Sequence, residues 1–268
     1  MKVLVTGAGG GIGGAAVDFL VKKGITVYAL DIKTPIKENG AIFFNADVTD
    51  EESLTRVAET LKNDGVILDA IINVAGVFTI NSFIEISGAE VKKLFDVNFF
   101  GAINVNRIFY PLLKKDGRII ITTSEVAPLD PMPFNGVYHA SKTALDCYAQ
   151  SLRQELNLLG QKVITVRPGA FSTALSNGSL TMTKELAKKT VLYKDQSEKF
   201  YKIVKTFMGT PLPPEKLAGT YYIALTKRRP KNVYYKHANA LLRLMNFLPK
   251  KLQCGIVKHL LKPKKKEK

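Results

Sequence analysis

A chain of 268 residues with 46% hydrophobic and 23% charged residues has the size and composition of one globular α/β domain. Two cysteines exclude a disulfide framework, three scattered histidines offer no metal-ligand spacing, and no apolar run reaches the roughly 18 residues of a spanning helix. The net charge is +16, and residues 227–268, with 14 basic residues and one acid, carry +13 of it.

The chain opens with the pattern strand, glycine-rich turn, helix, strand. Lys2–Thr6 is a β-branched apolar run, an amphipathic helical pattern follows the turn Gly7–Gly13, and a second strand, Ile25–Leu30, ends at Asp31. Glycines let a pyrophosphate approach the backbone at a helix N-terminus, and an acid about 20 residues later can bind both adenosine ribose hydroxyls. The unit predicts a dinucleotide site that favours NAD, because Asp31 would repel a 2′-phosphate; Lys33 could soften that preference. A turn without a ligand would not need so many glycines.

Two more strands and a helix follow. Ala41–Ala46 reads as the third strand and ends at Asp47-Val48. Thr49–Glu52 fits a capping box that opens a helix to about Asn63. Leu68–Val74 is nearly all apolar, as expected of a fourth strand that is buried on both faces.

A serine follows the next predicted strand. Ser87–Glu90 is another possible capping box, and a helical pattern containing Asn98 continues to about Leu113. The fifth strand, Arg118–Thr123, is followed by Ser124. Active sites in open α/β sheets lie at the carboxyl ends of strands, so Ser124 is well placed for catalysis.

A tyrosine and a lysine stand four residues apart at Tyr138 and Lys142. On a helix this spacing puts the phenol and the ammonium on one face. The positive charge should favour the phenolate and lower the tyrosine pKa, which suits proton exchange with an alcohol oxygen. The same spacing recurs at Tyr110/Lys114 and Tyr201/Lys205, so the pair taken alone is better explained as an ordinary half-exposed tyrosine beside a solvated lysine, and the rest of the chain must supply the context.

The remaining elements complete the predicted fold. The helix that begins near Tyr138 lasts to Gly160, and a sixth strand, Gln161–Arg167, ends at Pro168-Gly169. Strands that alternate with helices six times predict an α/β fold with a Rossmann-type, doubly wound parallel sheet in three α/β/α layers. We expect one domain over residues 1–226, including a substrate lid at about 170–210, and a basic amphipathic extension over residues 227–268.

These motifs, in this order, resemble the short-chain dehydrogenase/reductase superfamily in its shorter, single-domain class, over about residues 2–226. The resemblance assigns catalysis to Asn98, Ser124, Tyr138 and Lys142. It assigns cofactor contacts to residues at the turn and the strand ends: Thr6, Gly7, Gly11, Ile12, Gly13, Asp31, Asp47, Val48, Asn73, Ala75, Gly76, Tyr138, Lys142, Pro168, Gly169 and Thr173.

Three features depart from the family pattern. Val74 replaces the second Asn of the Asn-Asn-Ala-Gly motif, Thr123 precedes Ser124 where Ser is common, and the spacing from Ser124 to Tyr138 is one residue longer than usual. The glycines also fit the spacing of the longer, epimerase-like class, but the chain length and the pair Asn98 and Gly101 argue against that class.

The resemblance implies a mechanism. Tyr138 exchanges a proton with the substrate oxygen, Ser124 holds that oxygen, Lys142 also holds the nicotinamide ribose, and Asn98 holds a water. The protein would then be an alcohol dehydrogenase or ketone reductase that uses NAD, with NADP as the alternative. A silent nucleotide-sensing or scaffold protein of the same fold is the competing hypothesis, against which the intact catalytic set speaks. The family also implies a homodimer or homotetramer, formed through the two long helices at 91–113 and 137–159.

The predicted lid is rich in apolar residues: Phe171, Leu175, Leu180, Met182, Leu186, Phe200, Tyr201, Ile203, Phe207 and Met208. Because ligand pockets are mostly apolar, the lid suits a hydrophobic alcohol or ketone, similar to the substrates of steroid- and retinoid-type dehydrogenases. The alternative is that these residues merely pack the lid helices on the core.

The basic end holds two apolar clusters flanked by lysines, at residues 241–248 and 256–261. Such clusters suit an interfacial helix on an anionic membrane, although they equally suit packing on the substrate domain. Nucleic acid is an unlikely partner, because the tail lacks stacking aromatics and known binding motifs. The apolar stretch at Met1–Gly7 is too short for a signal peptide, so we expect a cytoplasmic protein, with peripheral membrane association as the alternative.

Overall fold

The computed structural model describes residues 1–33, 39–207 and 210–263, apart from the side chains of residues 174–179 and 207. Its centre is a seven-stranded sheet, in the order β3-β2-β1-β4-β5-β6-β7, in which every neighbouring pair is parallel. The strands are β1 Lys2–Thr6, β2 Thr26–Asp31, β3 Ile42–Asn45, β4 Leu68–Asn73, β5 Leu113–Thr122, β6 Lys162–Pro168 and β7 Val233–Lys236. The order reverses between β1 and β4, and ligands of such sheets bind at this switch point.

Ten α-helices are described: α1 Gly11–Lys22, α2 Glu51–Asn63, α3 Gly88–Phe95, α4 Gly101–Phe109, α5 Gly136–Asn157, α6 Ala174–Lys189, α7 Lys194–Phe207, α8 Glu215–Thr226, α9 Ala240–Asn246 and α10 Lys250–Leu261. A π-helical turn, Asp96–Phe100, joins α3 to α4, and a 3-10 turn, Tyr110–Leu112, leads into β5.

Alternate strand residues enter two separate cores, one on each face of the sheet. In β4, Ile71 packs in the layer of α2, α4 and α5, whereas Ile72 packs in the layer of α1 and α8. Successive side chains of a strand point to opposite faces, so a strand covered on both sides must be apolar throughout. The predicted three-layer α/β fold is confirmed.

The sheet has one strand more than the sequence predicted. Val233–Lys236 adds to β6, with Thr165 opposite Val233, although it lies in the segment predicted to be a basic extension. Four residues between polar and basic neighbours give too short a pattern to predict a strand. The sheet therefore continues beyond residue 226, and an extension can begin only after β7.

Strand β5 begins at Leu113, whereas the sequence predicted helix to that residue and strand from Arg118. The pairing with β4 is irregular there, because Leu68 lies opposite Leu113 but Ala70 lies opposite Arg118. The Lys114 ammonium forms a 2.7 Å ion pair with the Asp69 carboxylate across this irregularity. The polar residues at 114–117 hide the start of the strand in the sequence.

One predicted helix cap is confirmed and the other is wrong. Ser87 accepts the Glu90 N–H and Glu90 reaches back to the Ser87 backbone, which is a complete capping box. Helix α2 is capped by Asp50, whose carboxylate accepts the N–H groups of Glu52 and Ser53, and not by Thr49. Aspartate caps a helix at least as well as threonine, so the cap moves one residue along the chain.

The lid and the C-terminal helices pack together. Phe200 of α7 and Leu186 of α6 share a buried cluster with Phe134 and with Leu261 of α10. The predicted lid residues Leu175, Phe207 and Met208 and the basic tail Lys264–Lys268 lie outside what the structure describes. Within the described ranges, no helix combines the length and the apolar character needed to cross a membrane.

Candidate active site

The glycine-rich turn is fastened to the end of β4. The Thr6 hydroxyl accepts the backbone N–H groups of Val74 (3.2 Å) and Ala75 (3.3 Å). Gly7 has φ 68° and lies so close to Ala75 that a Cβ would be 2.7 Å from the Ala75 Cα. A Cβ on Gly13 would lie 2.0 Å from the Gly7 carbonyl oxygen. Glycine is therefore required at Gly7 by backbone conformation and close approach, and at Gly13 by close approach alone.

The N-terminus of α1 faces the segment that follows β6. Gly10 is the N-cap and supplies no side-chain cap, and the first turn contains no acid. Gly11 and Ile12 begin the helix, and a Cβ on Gly11 would lie 2.6 Å from the Thr173 methyl carbon. The fold thus brings the predicted cofactor residues of both segments together. An uncapped helix N-terminus offers backbone N–H donors and a positive dipole end to a phosphate.

Asp31 lies beside the glycine turn at the end of β2. One carboxylate oxygen accepts the Gly9 N–H (2.9 Å) and the other accepts the Lys33 N–H (3.0 Å). Asp47 accepts both the N–H and the hydroxyl of Thr49 at 2.8 Å. These bonds fix the direction of both carboxylates at the carboxyl end of the sheet.

Two predicted cofactor residues have side chains that contact other parts of the protein. Asn73 donates to the Asn106 side chain (2.8 Å), and Asn106 donates to the Tyr148 hydroxyl (3.1 Å), so the Asn73 amide ties β4 to α4 and α5. The buried Val48 packs against Gly101, where a Cβ would lie 2.6 Å from its Cγ2 atom. Both side chains help to position helix α4, and Asn73 also connects it to α5, the helix that contains Tyr138 and Lys142.

Asn98 occupies the π-helical turn between α3 and α4 and is fully buried. Its side chain accepts the Val77 N–H (2.7 Å) and donates to the Val77 carbonyl (2.9 Å) and the Ser141 hydroxyl (3.1 Å). Ser141 in turn donates to the Tyr138 carbonyl (2.7 Å). Asn98 therefore links the segment after β4 to the first turns of α5, and π-turns often occur at such functional positions.

Ser124, Tyr138 and Lys142 converge between β5 and α5. The buried Ser124 hydroxyl lies beside the Tyr138 phenol. The buried Lys142 ammonium donates to the Thr122 carbonyl (3.3 Å) and lies 6.0 Å from the centre of the Tyr138 ring. A Cβ on Gly76 would lie 3.3 Å from this ammonium, which places the end of β4 at the same centre.

The comparisons with known proteins agree with this geometry. Residues 1–184 match the family described as short chain dehydrogenase. The chain belongs to the short-chain dehydrogenase family. A crystal structure of a short chain dehydrogenase family protein from Francisella tularensis subsp. tularensis SCHU S4 has the same fold, with a TM-score of 0.73 and 25% identity, covering 87% of this chain and 96% of that one.

Curated relatives match over part of their length. Estradiol 17-beta-dehydrogenase 2 of Mus musculus is 34% identical over 188 residues, which cover 65% of this chain and 49% of that protein. The NADPH-dependent 1-acyldihydroxyacetone phosphate reductase of Schizosaccharomyces pombe is 34% identical over 199 residues, which cover 71% of this chain and 67% of that protein. The chain thus spans about half the length of the mouse and rat estradiol dehydrogenases that it matches.

Short-chain dehydrogenases are oxidoreductases that use NAD(P), and the residues present fit such a cofactor. The cradle at Gly7 and Gly13 leaves room for no side chain, and the helix behind it is uncapped. Asp31 lies beside the glycine turn, where the adenosine end of such a cofactor would bind, and Lys142 carries an ammonium that no carboxylate pairs among the described residues. The described chain contains no group of three His, Cys, Asp or Glu residues that could hold a metal ion.

The electrostatics of this dehydrogenase site differ from the sequence prediction. Burial raises the pKa of Tyr138 to about 12, although the Ser124 hydroxyl opposes the rise; the neighbouring Glu125 charge adds to it. Burial lowers the pKa of Lys142 to about 8. The predicted lowering of the phenol pKa is therefore wrong for the protein without cofactor, because the phenol is desolvated and the ammonium lies over the ring and against a backbone carbonyl.

Sequence reasoning did not identify three contributors to the site. Phe78 packs edge-to-face on Tyr138, with ring centres 4.7 Å apart. Ser141 connects Asn98 to α5. Glu125 follows Ser124 and contacts a turn more than a hundred residues away. An acid directly after the predicted catalytic serine was a usable signal, whereas the other two contacts depend on tertiary packing.

Proposed function

We propose that this protein is an NAD(P)-dependent alcohol dehydrogenase or ketone reductase that acts on a hydrophobic, lipid- or steroid-like substrate. The observation that carries the proposal is the buried Ser124 hydroxyl beside the Tyr138 phenol, with the Lys142 ammonium on the same helix as that phenol. These three groups provide a hydrogen-bond donor, an acid–base group and a positive charge around one point.

Each residue has a distinct task in the proposed reaction. Ser124 donates a hydrogen bond to the substrate oxygen and holds it beside the phenol. Tyr138 gives its proton to that oxygen during reduction and takes it during oxidation. Lys142 holds the ribose next to the nicotinamide, and its charge favours the phenolate when the site is filled. When bound, the nicotinamide supplies the hydride chemistry.

A groove of about 510 Å³ lies near the N-terminus of α5 and has an apolar lining that suits a hydrophobic ligand, but Ser124, Tyr138 and Lys142 do not line it. Phe83, Phe134 and Leu261 line it, and the Phe83 ring lies against Gly136, two residues before Tyr138. Phe83 remains 60% exposed, and exposed apolar surface of this kind often marks a ligand groove. The names of the two curated relatives refer to a steroid and to an acyl lipid, which supports the same substrate class.

Spectrophotometric turnover tests this proposal. The purified protein is offered steroid alcohols and ketones, long-chain secondary alcohols and their ketones, each with NAD(H) and with NADP(H). Faster conversion of the steroid and long-chain compounds than of small polar alcohols such as propan-2-ol would support the proposal. Tight cofactor binding without turnover of any member would favour the nucleotide-sensing or scaffold alternative.

For the cofactor we propose a preference for NAD(H), because the Asp31 carboxylate would repel a 2′-phosphate. Calorimetric titration should show NADH binding about tenfold or more tightly than NADPH, a difference of about 1.4 kcal/mol. Asp31→Asn should reduce the difference in affinity between NADH and NADPH, because it removes the carboxylate charge and keeps an oxygen that can accept the Gly9 N–H. Lys33→Ala is the matched control. It should increase the difference in affinity between NADH and NADPH, because it removes a positive charge that could attract the 2′-phosphate. Tighter NADPH binding by the wild type would show that basic residues override Asp31.

We also propose that the C-terminal segment docks on an anionic membrane. Leu244 of α9 is 63% exposed and Phe247 is 85% exposed, beside Lys250 and Lys251. The second apolar cluster contributes less, because Leu261 is buried against the lid. Each basic residue near an anionic surface adds about 1 kcal/mol, which is enough for reversible binding.

Sedimentation with phosphatidylserine-containing liposomes tests the docking. The double variant Leu244→Ser/Phe247→Ser should lose most of the bound fraction, because exposed apolar side chains drive interfacial binding. Leu158→Ser/Leu159→Ser is the matched control, since these leucines are equally exposed at the end of α5 and should not matter. Binding by the wild type should fall as salt rises. Equal sedimentation of all three proteins would contradict the proposal.

A further inference from the structure

Glu125 joins the catalytic edge of the sheet to the C-terminal part of the chain. Its backbone N–H donates to the Pro168 carbonyl at the end of β6 (2.9 Å). Its half-buried carboxylate accepts the backbone N–H of Asn239, the N-cap of α9. The other carboxylate oxygen lies 3.1 Å from the position of a Cβ on Gly169.

The turn that Glu125 holds is also in contact with the end of β6. Gly169 donates its N–H to the Lys236 carbonyl (2.9 Å), and a Cβ on Gly169 would lie only 1.9 Å from the His237 carbonyl oxygen. His237 adopts φ 59°, a left-handed conformation that is uncommon for residues other than glycine. The turn at residues 236–239 is thus fixed between the Glu125 carboxylate and Gly169.

A second contact fastens the following helices to the same loop. Asp130 pairs with Lys250 and accepts a hydrogen bond from Gln253 (2.7 Å), and its N–H donates to the Asn246 side chain (2.7 Å). Between the two contacts, Arg243 stacks on the Tyr235 ring of β7 at 4.5 Å. Residues 237–253, here named the C-terminal brace, are therefore held at two points, Glu125 and Asp130, of the loop that follows Ser124.

We propose that Glu125 is a positioning residue of this active site, which fastens the C-terminal brace to the ends of β5 and β6. Ser124 precedes it and the predicted nicotinamide-side pair Pro168-Gly169 lies beside it, so loosening the turn would displace groups on both sides of the reacting centre. The inference rests on the proposed function of Ser124 and Tyr138. It extends that function by making residues far along the chain part of the site.

The charge of Glu125 also bears on the phenol. The charged or titratable groups that face its carboxylate are Tyr138 of α5, His237 of the turn and Arg243 of α9. Burial raises the pKa of Glu125, while the Asn239 N–H and the two basic side chains oppose the rise. The carboxylate charge in turn raises the pKa of Tyr138, so its removal should shift the pH dependence of alcohol oxidation to lower pH.

Two substitutions distinguish the two effects of Glu125, which are holding the C-terminal brace in position and placing a negative charge near Tyr138. Glu125→Gln keeps an oxygen for the Asn239 N–H and removes the charge, so turnover at the optimum should stay near wild type while the pH profile moves to lower pH. Glu125→Ala removes both, so turnover should fall by about tenfold, since displacement of catalytic groups by about 1 Å can cost a hundredfold. Amide hydrogen exchange over residues 237–243 should be faster only in Glu125→Ala.

Asp130→Ala is the matched control. It should speed exchange near residues 246–253 without moving the pH profile, because its carboxylate does not face the phenol. Turnover of Glu125→Ala within twofold of wild type, or a Glu125→Gln profile that superimposes on that of the wild type, would overturn the inference. The exchange measurement needs no substrate. A failure of the proposed function would instead appear as full activity in Tyr138→Phe.

Discussion

Tyr138→Phe is expected to lower turnover by about 10²–10⁴-fold while cofactor binding persists, because it removes one oxygen atom and the acid–base group with it. The ring of phenylalanine keeps the edge-to-face contact with Phe78. Ser124 would still be present, but a serine hydroxyl cannot replace a phenol as a proton donor near neutral pH. Steady-state kinetics on a working substrate and calorimetric titration of NADH measure the two expectations.

Tyr148→Phe is a control on the same helix. Tyr148 is also partly buried, and it accepts a hydrogen bond from Asn106 (3.1 Å), but it has no contact with Ser124 among the described residues. Its loss should cost some stability and leave turnover within a few-fold of wild type. Equal activity of the two variants would contradict the role proposed for Tyr138.

The part of the site that could be predicted from sequence is the part set by local geometry. Gly7 and Gly13 are required by a tight turn, and the spacing of Tyr138 and Lys142 is one turn of a helix. Strand β4 can be recognised in the sequence because four of its six residues are apolar, as expected of a strand that is covered on both faces. In each case the residues that determine the local structure lie within one short stretch of the sequence.

The missed features depend on partners far along the chain. Strand β7 has only four residues and is stabilised by its pairing with β6. Glu125 acquires its role from Asn239, which is 114 residues away. Such contacts leave no periodicity or spacing in the sequence.

The direction of the Tyr138 pKa illustrates the same limit. The sequence shows a lysine one turn away and so predicts stabilisation of the phenolate. It does not show that the partly buried phenol is desolvated or where the ammonium points. In the structure burial outweighs the opposing effects and raises the phenol pKa to about 12.

Lys142→Met is expected to make the protein inactive and yet more stable. Burial lowers the pKa of Lys142 from 10.5 to about 8, so the folded chain carries an unfavourable ammonium at neutral pH. At about 1.4 kcal/mol for each pKa unit, the cost is about 3 kcal/mol. Methionine has a similar length and no charge, and it gives up only the bond to the Thr122 carbonyl. Turnover should fall at least about a hundredfold, because the proposed ribose contact and the charge on the same helix as Tyr138 are both lost.

The pH dependence of the folding stability tests the cost of burying the Lys142 ammonium more sharply than a measurement at one pH. Below pH 8 the ammonium is charged in both the folded and the unfolded chain, so the full penalty applies. As pH rises from about 8 towards 10.5, the folded chain loses the proton first, and the stability of the wild type increases relative to the variant. Thermal melts without cofactor should show Lys142→Met melting about 5–10 °C higher at pH 7, with the gap closing near pH 10. Lys93→Met, on the exposed face of α3, should change the melting temperature little at either pH. A Lys142→Met variant that melts below the wild type at pH 7 would show that the ammonium is stabilised by contacts that outweigh its burial.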